Sequence, residues 1–179
     1  MIGVAAFAAW LGAAVIVLSD GRRGLALGLG IITVAFTVLA WVDGQRLGAA
    51  ALLLGGAIAT IQRLRTDRDG WGVMPAGSTP RLVLAIAGGL LALWTATSVM
   101  TGAGAPLRFA GLSVIGLMAA RVLTAGDTAT VLTALAALAL SVGVASGMAD
   151  TGAGQSPYIA AGVIAVGVSL IRPRTLNGA

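Results

Sequence analysis

Residues 24–42 read GLALGLGIITVAFTVLAWV, with Arg22 and Arg23 on one flank and Asp43 on the other. No charge interrupts the stretch, and its hydroxyl side chains are Thr33 and Thr37. The apolar residues run on without the period-two alternation that a barrel strand or a half-exposed strand requires. A run of this kind is close to the roughly 20 helical residues needed to cross about 30 Å of hydrocarbon.

The same signature recurs along the chain. Apolar runs cover residues 2–18, 24–42, 47–61, 82–100, 107–123, 128–147 and 158–171, the third and seventh being the shortest. In the Ala-rich sixth run, Val131, Leu132, Leu135, Leu138, Leu140, Val142 and Val144 supply an insertion free energy on the order of −2 to −4 kcal/mol. Lipid offers no partner to a bare peptide group, so the runs are expected as helices. The expected fold is all-α: a polytopic transmembrane bundle of about seven short helices in a single domain over residues 1–179, with one long connection at 62–80.

Composition supports a bilayer as the solvent. The chain is 58% hydrophobic and 9% charged, with a mean hydropathy of +1.00, which leaves too little polar surface to cover a soluble globule of 179 residues. All basic residues are Arg and all acidic ones Asp, the coding bias of a GC-rich, bacterial source. Cys and His are both absent. That inventory removes disulfides, thiolate chemistry, iron–sulfur ligation, His-ligated haem or zinc and His-based acid–base catalysis. No metal and no cofactor is expected. The net charge of +5 would point to nucleic acid in a soluble protein, but these Arg residues lie between apolar runs and form no clustered face, so no nucleic-acid partner is expected.

Their placement instead sets an orientation. With the N-terminus outside, the cytoplasmic connections hold Arg22, Arg23, Arg63, Arg65, Arg68, Arg81 and Arg121, and then Arg172 and Arg174 in the tail. Only Arg46 and Arg108 remain on the outer side. The positive-inside rule therefore places the chain in the cell (inner) membrane with its C-terminus cytoplasmic. No basic residue precedes the first apolar run and an Arg pair follows it, the charge order of a retained anchor rather than a cleaved leader.

A helical hairpin is repeated within the chain. Ser98, Met100, the run Thr101-Gly102-Ala103-Gly104 and Pro106 recur as Ser146, Met148, Thr151-Gly152-Ala153-Gly154 and Pro157. One constant shift then relates Pro106, Gly111, Gly116 and Arg121 to Pro157, Gly162, Gly167 and Arg172. Residues 24–61 share the outline more weakly. The chain thus reads as one leading helix plus three parallel helical hairpins, not as an inverted repeat of the kind found in many carriers.

Small residues at helical spacing are expected to let backbones pack closely: Ala5, Ala9 and Ala13; Gly24 and Gly28; Gly116 and Ala120; Gly143 and Gly147. Trp41, Phe109 and Tyr158 map to the outer boundary as an aromatic belt, whereas Trp10 and Trp94 are expected between helices. Every Asp falls at a run's end or in a connection, so the spans lack the mid-depth ionisable group of a proton relay. Arg121 is the nearest approach, and it is expected to snorkel to the cytoplasmic interface.

Two sets of residues carry the functional expectations. In the 62–80 connection, Arg63, Arg65, Arg68 and Trp71 are candidates for contact with anionic lipid headgroups or a partner protein, each basic residue near the surface contributing about 1 kcal/mol. Among the hydroxyls, Thr95, Ser98 and Ser141 are candidates to line a path, although a helical hydroxyl also bonds its own preceding carbonyl. No motif places a nucleophile beside a base, so no catalytic residue is assigned. The expected function is that of a non-enzymatic subunit or accessory of a membrane complex, in contact with other membrane subunits. The alternative is a small permease or uncoupled channel component moving a small solute.

Overall fold

The computed structural model describes residues 1–66, 79–99, 105–147, 149 and 154–171. Among them are seven α-helices: α1 (Ile2–Leu18), α2 (Arg22–Val42), α3 (Arg46–Thr66), α4 (Thr79–Trp94), α5 (Ala105–Thr124), α6 (Thr128–Gly147) and α7 (Ser156–Leu170). A π-helical turn, Thr95–Val99, continues α4. Five of these helical segments are long and apolar enough to cross a membrane, while α1 and α7 are shorter apolar helices. The protein is thus an all-α bundle, and its helices are compatible with a multi-pass membrane protein.

The first and sixth apolar runs coincide with α1 and α6. The third run extends furthest beyond its expected end, because α3 continues past Ile61 through Gln62 and Arg63 to Thr66. Polar side chains end an apolar run without ending the backbone hydrogen-bond ladder. α2 stops at a Schellman turn: Gly44 has a φ of 80°, Gln45 N–H donates to Ala40 C=O at 2.9 Å and Gly44 N–H to Trp41 C=O at 3.1 Å. Only glycine takes that left-handed position without strain, and here it reverses the chain into α3.

The helices form two layers of three. α1, α2 and α3 lie side by side, as do α5, α6 and α7, and the layers meet with α1 on α5, α2 on α6 and α3 on α7. α4 is held against the edge made by α1 and α5, and it is the least buried of the membrane-length helices. Each hairpin read from the sequence therefore exists as a neighbouring pair, but the second is split, with α5 inside a layer and α4 on its flank. The repeat is visible in burial. Ala110 and Gly111 of α5 match Ala161 and Gly162 of α7 as buried positions, while Gly116 and Gly167 are both exposed. Both helices pack on α6, one from each side.

Glycine brings helices together, both between the layers and within one, where the backbones touch. A Cβ on Gly55 of α3 would lie 2.6 Å from the Cα of Gly162 in α7, and one on Gly12 would lie 2.8 Å from the Gly28 carbonyl oxygen. Such approaches replace the hydrophobic drive that lipid cannot supply with van der Waals contact. The Ala5, Ala9 and Ala13 stripe is buried as expected. Gly116 and Ala120 form no such seam, since a Cβ on Gly116 meets nothing within 4 Å.

Two aromatic assignments are corrected by the packing. Tyr158 is 0% exposed; its ring fits between α3 and α6, in space that a Cβ on Gly48 or Gly147 would occupy. It is an internal wedge rather than a belt residue. Trp94, expected between helices, is 60% exposed on the outer face of α4. Trp10 does pack inward, where its indole Nε1–H donates to the Ala85 carbonyl of α4 at 3.3 Å.

Candidate functional site

The π turn carries hydroxyls that bond back along their own helix. Thr95 donates to Leu91 C=O at 2.8 Å and Thr97 to Leu93 C=O at 2.8 Å, bonds that compete with the regular helical ladder. Arg108, in the first turn of α5, donates to the Ala96 carbonyl at 3.3 Å and fastens the turn to α5.

Of the candidate path-lining residues, Thr95 is half-buried and Ser98 exposed in this turn, whereas Ser141 is buried in α6. Ser141 donates to Leu138 C=O at 2.9 Å, so its proton, like that of Thr95, is spent on its own helix. None of the three lines any of the grooves described below.

Of the loop candidates, Arg63 is buried in the last turn of α3 and engaged within the protein. Arg65 is exposed one turn end further on. Arg68 and Trp71 lie outside the described residues, as do most of the 62–80 connection and the first Thr-Gly-Ala-Gly run.

The strongest polar cluster is one that the sequence reading did not assemble. Asp20, in the short link between α1 and α2, accepts from Arg81 Nη1 at 2.9 and 2.8 Å and is also paired with Arg121 Nη2. The same Arg121 nitrogen donates to the Ser19 carbonyl at 2.9 Å. Arg121 is 2% exposed, so it does not snorkel outward. Its Nη2 is held by a carboxylate and a carbonyl brought from a distant part of the chain, and one carboxylate thus ties α1, α4 and α5 at one end of the bundle. The Nε of Arg121 and the Ser19 hydroxyl are buried with no hydrogen-bond partner among the described residues.

Partial burial raises the Asp20 pKa, but hydrogen bonds and charge from Arg81 and Arg121 outweigh it and hold the carboxyl below its ordinary value of 3.8. The carboxylate is therefore charged and committed at neutral pH. Paired in this way, it clasps α1, α4 and α5 together. Among the described residues, no group of three or more acidic, His or Cys side chains could hold a metal ion.

Among the described residues, apolar grooves lie on the flanks, three of which stand out. The largest, about 980 Å³, runs along α2 between α1 and α3 and is lined by residues that include Val4, Arg23, Ala26, Gly30, Val34, Thr60 and Leu64. The second, about 460 Å³, lies between α1, α4 and α5, where Phe7, Trp10, Leu93, Thr97 and Phe109 meet beside the π turn. The third, about 280 Å³, opens over the Gly55–Gly162 seam. All three are bordered by large apolar side chains exposed on the outside of the bundle. Between the layers, Ile32, Phe36, Leu140 and Val144 fill the space. No family model matches this chain, and neither does any curated protein or solved structure.

Proposed function

We propose that this chain is a non-enzymatic subunit or accessory protein of a membrane complex, acting by holding other membrane components against its flanks. The observation that supports this reading is the contrast between a filled interior and grooved sides. Apolar side chains pack between the layers, the hydroxyls of Thr33, Thr133 and Ser141 bond their own helices, and the depressions face outward. A solute route needs polar groups that converge on a lumen. A scaffold needs shaped lateral faces.

In this reading all seven helices cross the cell membrane, the N-terminus is outside, and the end carrying Asp20, Arg81 and Arg121 faces the cytoplasm. Arg65, exposed at that end of α3, meets anionic lipid headgroups. The protein partner sits along α4, whose outward face presents Leu90, Leu91 and Trp94.

Site-specific photo-crosslinking in the native cell tests this. A crosslinker at Leu90 is expected to capture one discrete polypeptide that co-purifies in gentle detergent at a fixed stoichiometry. A lone protein that conducts a small solute when reconstituted in vesicles would overturn the reading.

A further inference from the structure

The groove along α2 has a charged side chain, Arg23, at one end and the N-terminal residue Met1 at the other. Its lining runs from Arg23 to Val38 of α2, about 22 Å at 1.5 Å per residue. The floor is low because Ala26 and Gly30 carry almost no side chain, and Val4 of α1 and Leu64 of α3 form part of its walls. The Thr60 hydroxyl in the groove donates to the Gly56 carbonyl at 2.7 Å and offers no further proton. Among the described residues of the lining, Arg23 is the only charged side chain. It is exposed and makes no ion pair or hydrogen bond with another described residue.

Arg23 also stands in the first turn of α2, beside Arg22, and no acidic residue accompanies them. A helix start is the positive end of the peptide dipoles, so the exposed Arg23 guanidinium there adds to a field that already favours an anion. The complementary ligand has one anionic head and a flexible hydrocarbon tail. A second copy seated in the same groove about an axis along the membrane normal would instead set two Arg23 side chains against each other at equal depth, a like-charge contact that opposes association.

We propose that this groove binds one anionic phospholipid from the leaflet adjoining Arg23, with the phosphate on the Arg23 guanidinium and an acyl chain laid over Ala26 and Gly30. Gly30 stands about 10 Å from Arg23 along α2, within the roughly 15 Å depth of one leaflet's hydrocarbon. The site does not depend on whether the chain has a protein partner.

Native mass spectrometry of the detergent-purified full chain tests the assignment, with phosphatidylglycerol and phosphatidylcholine added at equal concentration. The wild-type protein is expected to retain one phosphatidylglycerol in preference to phosphatidylcholine. Arg23→Gln is expected to reduce that preference about fivefold, while Arg46→Gln, the same charge change at the other end of the bundle, leaves it intact. A Cβ at Gly30 meets only Thr60 Cγ2 at 3.7 Å, so Gly30→Leu fills the floor without a backbone collision and is expected to abolish retention of the first lipid. Leu27→Trp, at an exposed groove position between Ala26 and Gly30, repeats the block should Gly30→Leu lose its helical circular dichroism. Equal retention of both lipids, or loss of preference in Arg46→Gln to the same degree, would overturn the proposal.

Discussion

Asp20 shows how much one side chain can organise when its partners come from elsewhere in the chain. Its two Arg partners differ in environment, and their contributions should differ accordingly. The Arg81 and Asp20 side chains are 33% and 37% exposed, so that pair is solvated and worth about 0–1 kcal/mol. Arg121 is buried, and its loss would strand the Ser19 carbonyl and remove one of the three hydrogen bonds to the carboxylate, at a cost of about 3 kcal/mol. Arg121→Met is therefore expected to lower the thermal transition in detergent well below that of Arg81→Met, and equal shifts would refute the hierarchy. The pH dependence follows from the depressed pKa of Asp20. Its contribution to stability is complete above the ordinary carboxyl value of 3.8 and is lost as pH falls through the lower folded-state value. An acid titration of the melting temperature should show this loss in the wild type and not in Asp20→Asn. The residues themselves were visible in the sequence, but Asp20 and Arg121 are too far apart along the chain for any local pattern to pair them.

At the level of elements, contact between helices is set by what is missing from them. α3 and α7 meet where Gly55 and Gly162 put backbone against backbone, whereas Gly116 of α5 faces open space. The two positions look alike in sequence, since each is a glycine in an apolar run. Gly55→Ala is expected to destabilise the bundle by about 1–3 kcal/mol, because the added methyl collides with main chain that cannot turn aside. Gly116→Ala is expected to be neutral or stabilising by a few tenths of a kcal/mol to about 1 kcal/mol. Parallel thermal or denaturant unfolding of the two variants in one detergent separates them, and similar losses would mean that the seam is not the α3–α7 contact. Helix existence was legible in the runs themselves, since their length and continuity need only local backbone bonding. Ends and irregularities were less so: the extension of α3 to Thr66 and the π turn at Thr95–Val99 depend on hydrogen bonds that apolar patterning does not report.

For the whole molecule, the end of α1, the start of α4 and the end of α5 converge through Asp20, Arg81 and Arg121. The other end gathers Tyr158, Gly48 and Gly147, with Gln155 accepting from the Gly48 N–H at 2.8 Å. This gathering of ends is what alternating crossings demand. With the proposed orientation, a Cys introduced at Gly77 in an otherwise Cys-free chain is expected to resist a membrane-impermeant thiol reagent applied to intact cells and to react after lysis. Labelling in intact cells would reverse the topology. What the sequence determined by itself is the medium and the element type: continuous apolar runs without alternation admit only helices in hydrocarbon, and that inference uses no contact between residues. The tertiary structure alone decided the three-on-three layering, the place of α4 on the flank, the inward turn of Tyr158 and the burial of Arg121. In lipid every helix surface is already in an acceptable solvent, so hydrophobicity cannot say which face turns inward. Steric fit and the pairing of a few distant polar groups make that choice, and both exist only once the chain has closed on itself.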